Sequence, residues 1–179
     1  MIYSYTTHIT TGPNGAILRF RNTEDQDATV LGAIGGATIV HVPDGVTMPA
    51  QPAEIGWAQV TLSDADRTTL SRTSPVARRI KERRDKAMIG GVIVNGISIA
   101  TDDLSQQRIT GAALAAQIDS TTTVQWKMPD STFAVLDAAQ ITGIAQAVRA
   151  HVQACFDREA ELLSALFSGE PYDIETGWP

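Results

Sequence analysis

The sequence predicts an α+β fold, with a β-rich N-terminal region followed by a small domain of antiparallel β-hairpins packed on helices. Three patterns indicate this class. Short alternating segments between turn residues fill the N-terminal part, an Asn95-Gly96 pair lies between β-branched residues, and a long amphipathic helical pattern ends the chain. The order hairpin, helix, hairpin, helix favours an antiparallel sheet with helices on one face.

The N-terminal region, residues 1–74, has the pattern of short strands separated by turns. Apolar and polar residues alternate, or small and β-branched residues cluster, between glycine and proline turn signals, which is typical of antiparallel strands. We expect a hairpin with its turn at residues 12–15, a strand pair bent at the glycines, and one further strand. These predicted strands are residues 2–10, 16–21, 28–42 and 57–62.

Two short helices are predicted around Thr73-Ser74-Pro75. Ser63 followed by two acids is an N-cap pattern for a helix near residues 64–72. Pro75 disfavours a helical residue before it and suits a first helical turn, so a second helix is expected over residues 76–89. The same proline is the clearest domain boundary, and it separates residues 1–74 from a second domain of residues 75–169 and an extended acidic tail of residues 170–179.

The second domain contains the clearest hairpin in the chain, residues 92–99. Asn95-Gly96 is the preferred pair for a type I′ turn, and β-branched residues flank it. Asp102 or Asp103 is then expected to cap a helix over residues 104–118. The residues expected to face inward from this helix are Leu104, Ile109 and Leu114.

A second hairpin is predicted over residues 124–136. Val124, Trp126 and Met128 alternate, so they share one strand face, which favours core packing. Phe133 and Val135 on the returning strand are expected to lie opposite them and to hold the sheet against the last helix.

Apolar residues spaced three or four positions apart predict one long amphipathic helix over residues 138–168. Asp137 is a suitable N-cap and Gly169 a suitable C-cap. At ~1.5 Å per residue the helix would be roughly 45 Å long, so it needs a long partner. The stripe comprises Ile141, Ile144, Val148, Val152, Cys155, Phe156, Leu162, Leu163, Leu166 and Phe167.

Composition excludes several classes of protein. The chain of 179 residues has a net charge of −6, which disfavours nucleic acid as a partner. Its single cysteine permits no internal disulfide, and no apolar run approaches the length of a membrane span. The first residues lack the pattern of a signal peptide, so synthesis and retention in a cytosol are expected.

One basic cluster interrupts this acidic background on the helix predicted before the first hairpin of the second domain. Two acids are interleaved with it and it contains no aromatic residue, so it is interpreted as a solvated helix face or a surface complementary to an acidic partner. Its members are Arg78, Arg79, Lys81, Arg83, Arg84 and Lys86.

No catalytic residue, cofactor site or metal site is predicted. His151 and Cys155 are spaced as two metal ligands on one helix face would be, but two ligands do not make a site, and a core cysteine beside a partly buried histidine is the preferred interpretation. Asp102-Asp103 is better explained by helix capping than by cation binding. The glycines at residues 32–36 lack the spacing of a phosphate-binding loop. Asp157, Glu159 and Glu161 are expected to be solvated.

The C-terminal residues Tyr172, Ile174 and Trp178 make the tail more than a solvated segment. Two alternatives stay open for Trp178. It docks into a neighbouring subunit, or it folds back onto its own domain.

Residues 76–167 resemble a domain-of-unknown-function family that is carried by tailed-phage and prophage proteins and lies among tail and tail-fibre genes. The matching pieces are Arg84-Asp85 before a glycine-bounded hairpin, TDD-SQ-RITGA within residues 101–112, V-W-M-D-F-VLDAAQI within residues 124–141, and HVQACFDRE at residues 151–159. The resemblance implies a phage tail context. It implies no reaction, and it carries over no catalytic residues.

The expected function is that of a non-enzymatic phage tail structural protein, at the baseplate or the fibre-attachment end, which acts through protein contacts and self-association. The alternative is a tail-fibre assembly chaperone that is absent from the virion; an enzyme acting on glycans would need paired carboxylates in a cleft. The expected partners are other tail, baseplate or fibre proteins and further copies of the chain, with synthesis in the host cytoplasm. The candidate interaction residues are Val148, Val152, Phe156, Leu162, Leu163, Leu166, Phe167, Tyr172 and Trp178.

Overall fold

The computed structural model of the chain describes residues 1–5, 29–42, 57–128 and 131–179. Helices and antiparallel strands alternate along these residues, so the predicted α+β class is confirmed. The elements are β1 (Ile2–Tyr5), β2 (Thr29–Ile34), β3 (Ala37–His41), β4 (Trp57–Gln59), α1 (Asp64–Thr73), α2 (Pro75–Met88), β5 (Val92–Val94), β6 (Ile97–Ile99), α3 (Asp103–Ile118), β7 (Thr123–Lys127), β8 (Phe133–Asp137) and α4 (Ala138–Ser168).

The N-terminal strands form an antiparallel sheet in the order β2-β3-β1-β4. The predicted strand pair is confirmed as β2 and β3, and Gly35 and Gly36 both adopt positive φ in the turn between them. A register shift between Val30 and Gly32 marks a bulge in β2. The predicted partner strand at residues 16–21 and its turn at 12–15 lie outside the described residues.

The chain divides into two compact units. One contains Met1–Lys81 and Ala160–Ile174, and the other contains Glu82–Glu159 and Glu175–Pro179. Both units are therefore discontinuous in sequence, and α2 and α4 contribute residues to each. The division into residues 1–74, 75–169 and 170–179 follows sequence punctuation instead, and it stays a prediction.

The second unit is built around an apolar core to which α3, α4 and both hairpins contribute. Its buried residues are Ile99, Ile109, Ala113, Leu136, Ile141, Ile144 and Val148. Val124 and Trp126 of β7 pack against this core, as the shared strand face predicted. The two hairpins thus cover a core that the two helices complete.

The inward face of α3 differs from the prediction. Ile109 is buried as expected, but Leu104 and Leu114 are 52% and 59% exposed. The inward face consists of Ile109, Ala113 and Ala116, which are spaced four and three residues apart as one helical stripe requires. Leu104 and Leu114 each lie five residues from Ile109, and that spacing places them on the other side of the helix.

The register of the second hairpin also differs from the prediction. Trp126 is opposite Ala134, and Val124 is opposite Leu136. Phe133 and Val135 lie on the other face, where they are 66% and 63% exposed. Because side chains alternate along a strand, a pairing offset of one residue moves a whole set to the opposite face.

The helix ends agree with the predicted caps. Ser63 and Asp66 form a capping box at α1, and Asp102 accepts hydrogen bonds at the start of α3. Asp137 Oδ1 accepts from the amide of Gln140 at 2.8 Å, and the Gln140 side chain accepts in return from the Asp137 amide. Gly169 follows α4 with φ of 79°, a left-handed conformation suited to glycine. Within the described residues, no helix has the length and apolar character needed to cross a membrane.

Candidate interaction surface

Helix α3 is apolar on two opposite sides. Its inner side packs into the core through Ile109, Ala113 and Ala116. Its outer side carries Leu104, Leu114 and Ile118, and Ile118 is 81% exposed. A surface helix ordinarily places polar residues outward, and a helix that is apolar all round is ordinarily buried. The outer side of α3 therefore has the composition of a surface that is covered in an assembly.

This outer side is uncharged along its length. At 3.6 residues per turn, the same side includes one amide and two small residues between the larger aliphatic ones. The charged residues of α3, Asp103 and Arg108, fall on its two edges. We call this surface the α3 outer face: Leu104, Gln107, Gly111, Leu114, Ala115 and Ile118.

A groove of about 580 Å³ runs between α3 and α4 beside the α3 outer face. Its floor is apolar, with Ile109, Ala113 and Val148 buried and Val152 half-buried. Amides and hydroxyls form most of its rim, and Arg149 is the charged residue in its lining. Apolar grooves between helices are suited to receive the apolar face of another helix. We call this the α3/α4 groove.

A second groove, of about 560 Å³, lies on the other side of α3. Five consecutive residues, 124–128, line it together with Ala100 and one side of α3. Trp126 supplies an apolar surface, and Arg108 and Lys127 supply positive charge. Strand β7 is paired with β8 in a two-stranded sheet of the described residues, so this β7/α3 groove borders a strand edge. Helix α3 therefore forms a ridge between two grooves.

The predicted interaction residues divide among different surroundings. Val148, Val152 and Phe156 line the α3/α4 groove. In the other unit, Leu162, Leu166 and Phe167 are buried. The remaining predicted residues, Leu163, Tyr172 and Trp178, are half-buried. Most of the apolar stripe of α4 is thus used for packing within the chain, and only part of it is accessible to a partner.

Arg84 forms a charged cluster close to the groove residue Phe156. Its guanidinium lies 2.5 Å from carboxylate oxygens of both Asp85 and Glu159, and 4.7 Å from the centre of the Phe156 ring. The side chains of Arg84 and Glu159 are only 12% and 15% exposed. The expectation that Glu159 is solvated is therefore wrong, and Arg84 is not part of a solvated basic face. Arg84 and Glu159 are 75 residues apart in the sequence, so local sequence patterns do not predict this contact.

Two opposing effects act on the charge of Arg84. Burial works to lower the pKa of this guanidinium, but hydrogen bonds to Asp85 and Glu159 and the charges of both carboxylates outweigh burial, so the pKa is raised above its ordinary value. Arg84 therefore stays charged, and it holds Glu159 and the Phe156 ring in place.

His151 and Cys155 are both buried, as the core interpretation requires. Nε2 of His151 lies 3.1 Å from the carbonyl oxygen of Ala87, so this ring nitrogen is already engaged. Burial raises the pKa of the Cys155 thiol, although the charge of Arg84 works in the other direction. A neutral, buried thiol is a poor nucleophile. Among the described residues, no three His, Cys, Asp or Glu side chains cluster closely enough to hold a metal ion.

The C-terminal residues contact their own units. Tyr172 meets His41 edge to face with ring centres 5.5 Å apart, and burial raises the pKa of its hydroxyl. In the other unit, the guanidinium of Arg83 lies 5.8 Å from the centre of the Trp178 ring, and Arg158 donates to the carbonyl oxygen of Thr176 at 3.1 Å. Of the two alternatives for Trp178, these contacts agree with folding back.

The sequence pattern predicts Leu104 and Leu114 in the core, whereas the structure places both on the α3 outer face. The spacing of the residues nevertheless indicates this outcome. Ile109 and Leu114 are five residues apart, a separation that places them on different sides of one helix, and Ile118 adds a third aliphatic residue to the side of Leu104 and Leu114.

Residues 72–176 match the family model described as Domain of unknown function (DUF4376). No curated protein and no solved structure matches the chain. The family match covers most of the second compact unit and parts of the first, and it covers more than half of the chain. The chain therefore belongs to the Domain of unknown function (DUF4376) family.

Proposed function

We propose that this protein is a non-enzymatic structural component of a phage tail, at the baseplate or the fibre-attachment end, made in the host cytoplasm and retained in the virion. The observation that carries a binding role is the α3 outer face, an uncharged apolar surface between two grooves. Exposed apolar patches of this kind mark protein interaction sites. The tail context is supported by the resemblance of residues 76–167 to a family carried by tailed phages and prophages.

The chemistry of the described side chains supports binding over catalysis. A nucleophile needs an accessible side chain beside a free base. Cys155 is fully buried, and the ring of His151 is engaged with a backbone carbonyl. Glu159 is paired with Arg84, so its carboxylate is not available as one of the two acids that glycan hydrolysis needs.

Within this proposal, the two units would bind different partners. The N-terminal β-rich region would contact the tail, and the second unit, with the α3 outer face, would self-associate or hold a fibre. The β7/α3 groove adds a further contact surface, because a bordering strand edge accepts extended segments through main-chain hydrogen bonds.

Quantitative mass spectrometry of density-purified particles from the phage or prophage that encodes this chain tests the proposal. We expect the protein at a fixed ratio to baseplate and fibre proteins. Its absence from intact particles, while those proteins are present, would refute a structural role.

A second candidate is a tail-fibre assembly chaperone, which would bind nascent fibre chains in the cytosol and leave before the virion matures. The observation that favours it is the β7/α3 groove, which is open, partly apolar and bordered by a strand edge. For a chaperone, we expect the protein to be abundant in the infected-cell lysate, bound to fibre chains, and absent from purified particles.

A further inference from the structure

We infer that the β7/α3 groove binds an extended, acidic segment of a partner protein, which adds to β7 as a further strand of its sheet. This inference deepens the proposed function and rests on the binding role proposed there, because it names the chemistry of one partner. The features of the groove that lead to this occupant are a strand edge, a floor of small residues and a positive charge.

The groove runs along the edge of β7 that points away from β8. Residues 124–128 all line it, so side chains from both faces of the strand border it, whereas no described residue of β8 does. Successive side chains of a strand point to opposite faces, and the two faces meet only at an edge. The groove therefore follows the length of a strand edge, roughly 17 Å for a strand of this size.

The register of the hairpin identifies the backbone groups that face the groove. The Met128 amide donates to the carbonyl oxygen of Thr132 at 2.8 Å. Because hydrogen-bonded and non-hydrogen-bonded pairs alternate along antiparallel strands, the N–H and C=O groups of Gln125 and Lys127 point away from β8. No strand of the described residues pairs with β7 on that side. These donors and acceptors match the backbone of one added strand.

The floor of the groove leaves room for a backbone to approach. Ala100, Gly111 and Ala112 line it beside the half-buried Trp126. A Cβ at Gly111 would meet no atom within 4 Å, so the space above this glycine is open. Small residues admit a main chain, and the Trp126 ring offers apolar contact to its side chains. A helix would suit the edge less well, because its backbone groups are already bonded internally.

The charge of the groove favours an acidic segment. Its charged lining residues are Arg108 and Lys127, which are both exposed, and neither forms an ion pair with another described residue. A second copy of the same edge would bring like charges together, which is unfavourable between paired strands. Glutamate or aspartate side chains would instead pair with both residues. In a chain of net charge −6, this positive groove is a local attraction for acidic groups.

Single-stranded nucleic acid is the other class of partner that positive charge beside an aromatic ring attracts. Its phosphates accept hydrogen bonds and donate none, so the carbonyl groups of Gln125 and Lys127 would gain no partner from them. A peptide backbone supplies both donors and acceptors at the spacing of the strand edge. An acidic peptide is therefore the better match.

Fluorescence anisotropy of the purified full chain with labelled peptides tests this inference. The probe is a peptide of about six residues, the length of a typical strand, in which valine and glutamate alternate. We expect saturable binding that is lost when lysine replaces glutamate and when the peptide amides are N-methylated, because these changes remove the charge complementarity and the main-chain hydrogen bonds. Amide hydrogen exchange followed by NMR should slow at Gln125 and Lys127 in the complex.

Charge reversal provides the matched variants. The double variant Arg108→Glu, Lys127→Glu should weaken binding of the glutamate peptide by about tenfold or more and should bind the lysine peptide instead. Arg149→Glu, the same change at an exposed arginine of the α3/α4 groove, is the control and should leave binding unchanged. Gly111→Met should raise the melting temperature, because methionine favours the helix, and yet reduce peptide binding, because its side chain fills the groove.

Absence of binding of the glutamate peptide into the millimolar range would overturn the inference. Binding that the N-methylated peptide or the charge-reversed variant retains would do the same, because it would not depend on the strand edge or on the charge. Tighter binding of a poly(dT) oligonucleotide than of the peptide would assign the groove to nucleic acid instead.

These outcomes are separable from a failure of the proposed function. Peptide binding by a protein that is absent from purified particles would leave the inference standing and refute the structural role in the tail. A protein that is found at fixed stoichiometry in particles and binds no acidic peptide would do the reverse.

Discussion

Arg84 forms ion pairs and an aromatic contact beside the candidate interaction surface. Its guanidinium pairs with Asp85 and Glu159 and lies over Phe156, a residue of the α3/α4 groove. Removing one member of a mostly buried ion pair leaves the other charge without its partner, which costs more than the pair itself contributes. Arg84 keeps a second carboxylate at Asp85, so the loss of Glu159 is partly compensated.

We expect Glu159→Gln to lower the free energy of unfolding by about 1–3 kcal/mol, since it removes a charge-assisted partner of a largely buried guanidinium. Urea unfolding followed by circular dichroism measures this. The matched control is Glu161→Gln on the same helix, where the native residue is exposed and a change below about 0.5 kcal/mol is expected. Equal effects of the two substitutions would contradict the importance of the Arg84 pair.

Gly96 is a position where the effect of backbone conformation on stability can be measured without a change in packing. It has φ of 80°, next to Asn95 with φ of 51°, and a Cβ at this position would meet no atom within 4 Å. Gly96→Ala should therefore destabilise the protein by about 1 kcal/mol through conformational strain alone. The control is Gly143→Ala in α4, an equally open site with helical backbone, which should instead be stabilising. Thermal unfolding of both variants decides the matter, and the same sign for both would contradict this account.

At the scale of elements, α3 depends on its N-cap. The Asp102 carboxylate accepts hydrogen bonds from the Ser105 hydroxyl at 2.6 Å and from the amides of Leu104 and Ser105 at 3.1 Å. The hydrogen bond from the Ser105 hydroxyl is the largest cause that lowers the pKa of Asp102, and the amide bonds add to it. The ionised carboxylate is therefore the form that supports the helix.

This lowered pKa sets a direction for the pH dependence of stability. The folded value lies below the unfolded value of about 3.9, so the contribution of Asp102 is complete above about pH 5 and is lost as pH falls through the folded pKa. We expect Asp102→Asn, which keeps a capping oxygen, to reduce the fall in urea midpoint between about pH 5 and pH 2. Asp103→Asn, in the same first turn, is the control and should change that fall less. An unchanged fall in Asp102→Asn would refute this role.

The elements show how far sequence patterns reach. The capping box at Ser63, the cap at Asp102, the turn at Asn95-Gly96 and the end of α4 at Gly169 agree with their predictions. Each depends on residues within a turn or two of chain. The predictions of the inward side of α3 and of the register between β7 and β8 were wrong. Both features depend on which apolar residues contact a partner elsewhere in the chain.

At the scale of the whole molecule, the last residues of the chain, Glu175–Pro179, are part of the second compact unit. Trp178 lies over Arg83, and Arg158 holds the carbonyl oxygen of Thr176. A cation above an aromatic ring contributes about 0.5–1 kcal/mol at partly exposed sites. The acidic tail is thus part of a folded unit.

We expect Trp178→Ala to lower the free energy of unfolding by about 1 kcal/mol, by the same amount at low and high protein concentration, because its contacts lie within one chain. Urea unfolding by circular dichroism at two protein concentrations measures this, with Pro179→Ala as the neighbouring control. A loss that appears only at high concentration would mean that Trp178 docks into another copy.

The fold of the whole chain determines which part of the apolar stripe of α4 stays accessible. Along the stripe of α4, Leu162 and Leu166 are buried, whereas Val152 and Phe156 remain accessible in the groove. Amphipathic periodicity identifies a stripe, but it does not tell which part of the stripe the chain itself covers. For the same reason Leu162→Asp, at a residue only 2% exposed, would test folding and not association.

The sequence alone predicts the α+β class, the glycine turns, the helix caps and the extent of the long helix. These features follow from backbone preferences and from hydrogen bonds between residues close in the chain. Three further features are set by the folding of the whole chain: which side of α3 is buried, which residues pair across β7 and β8, and the contact of Arg84 with Glu159. Those outcomes depend on contacts between residues far apart in sequence, and they place an uncharged apolar face of α3 on the surface.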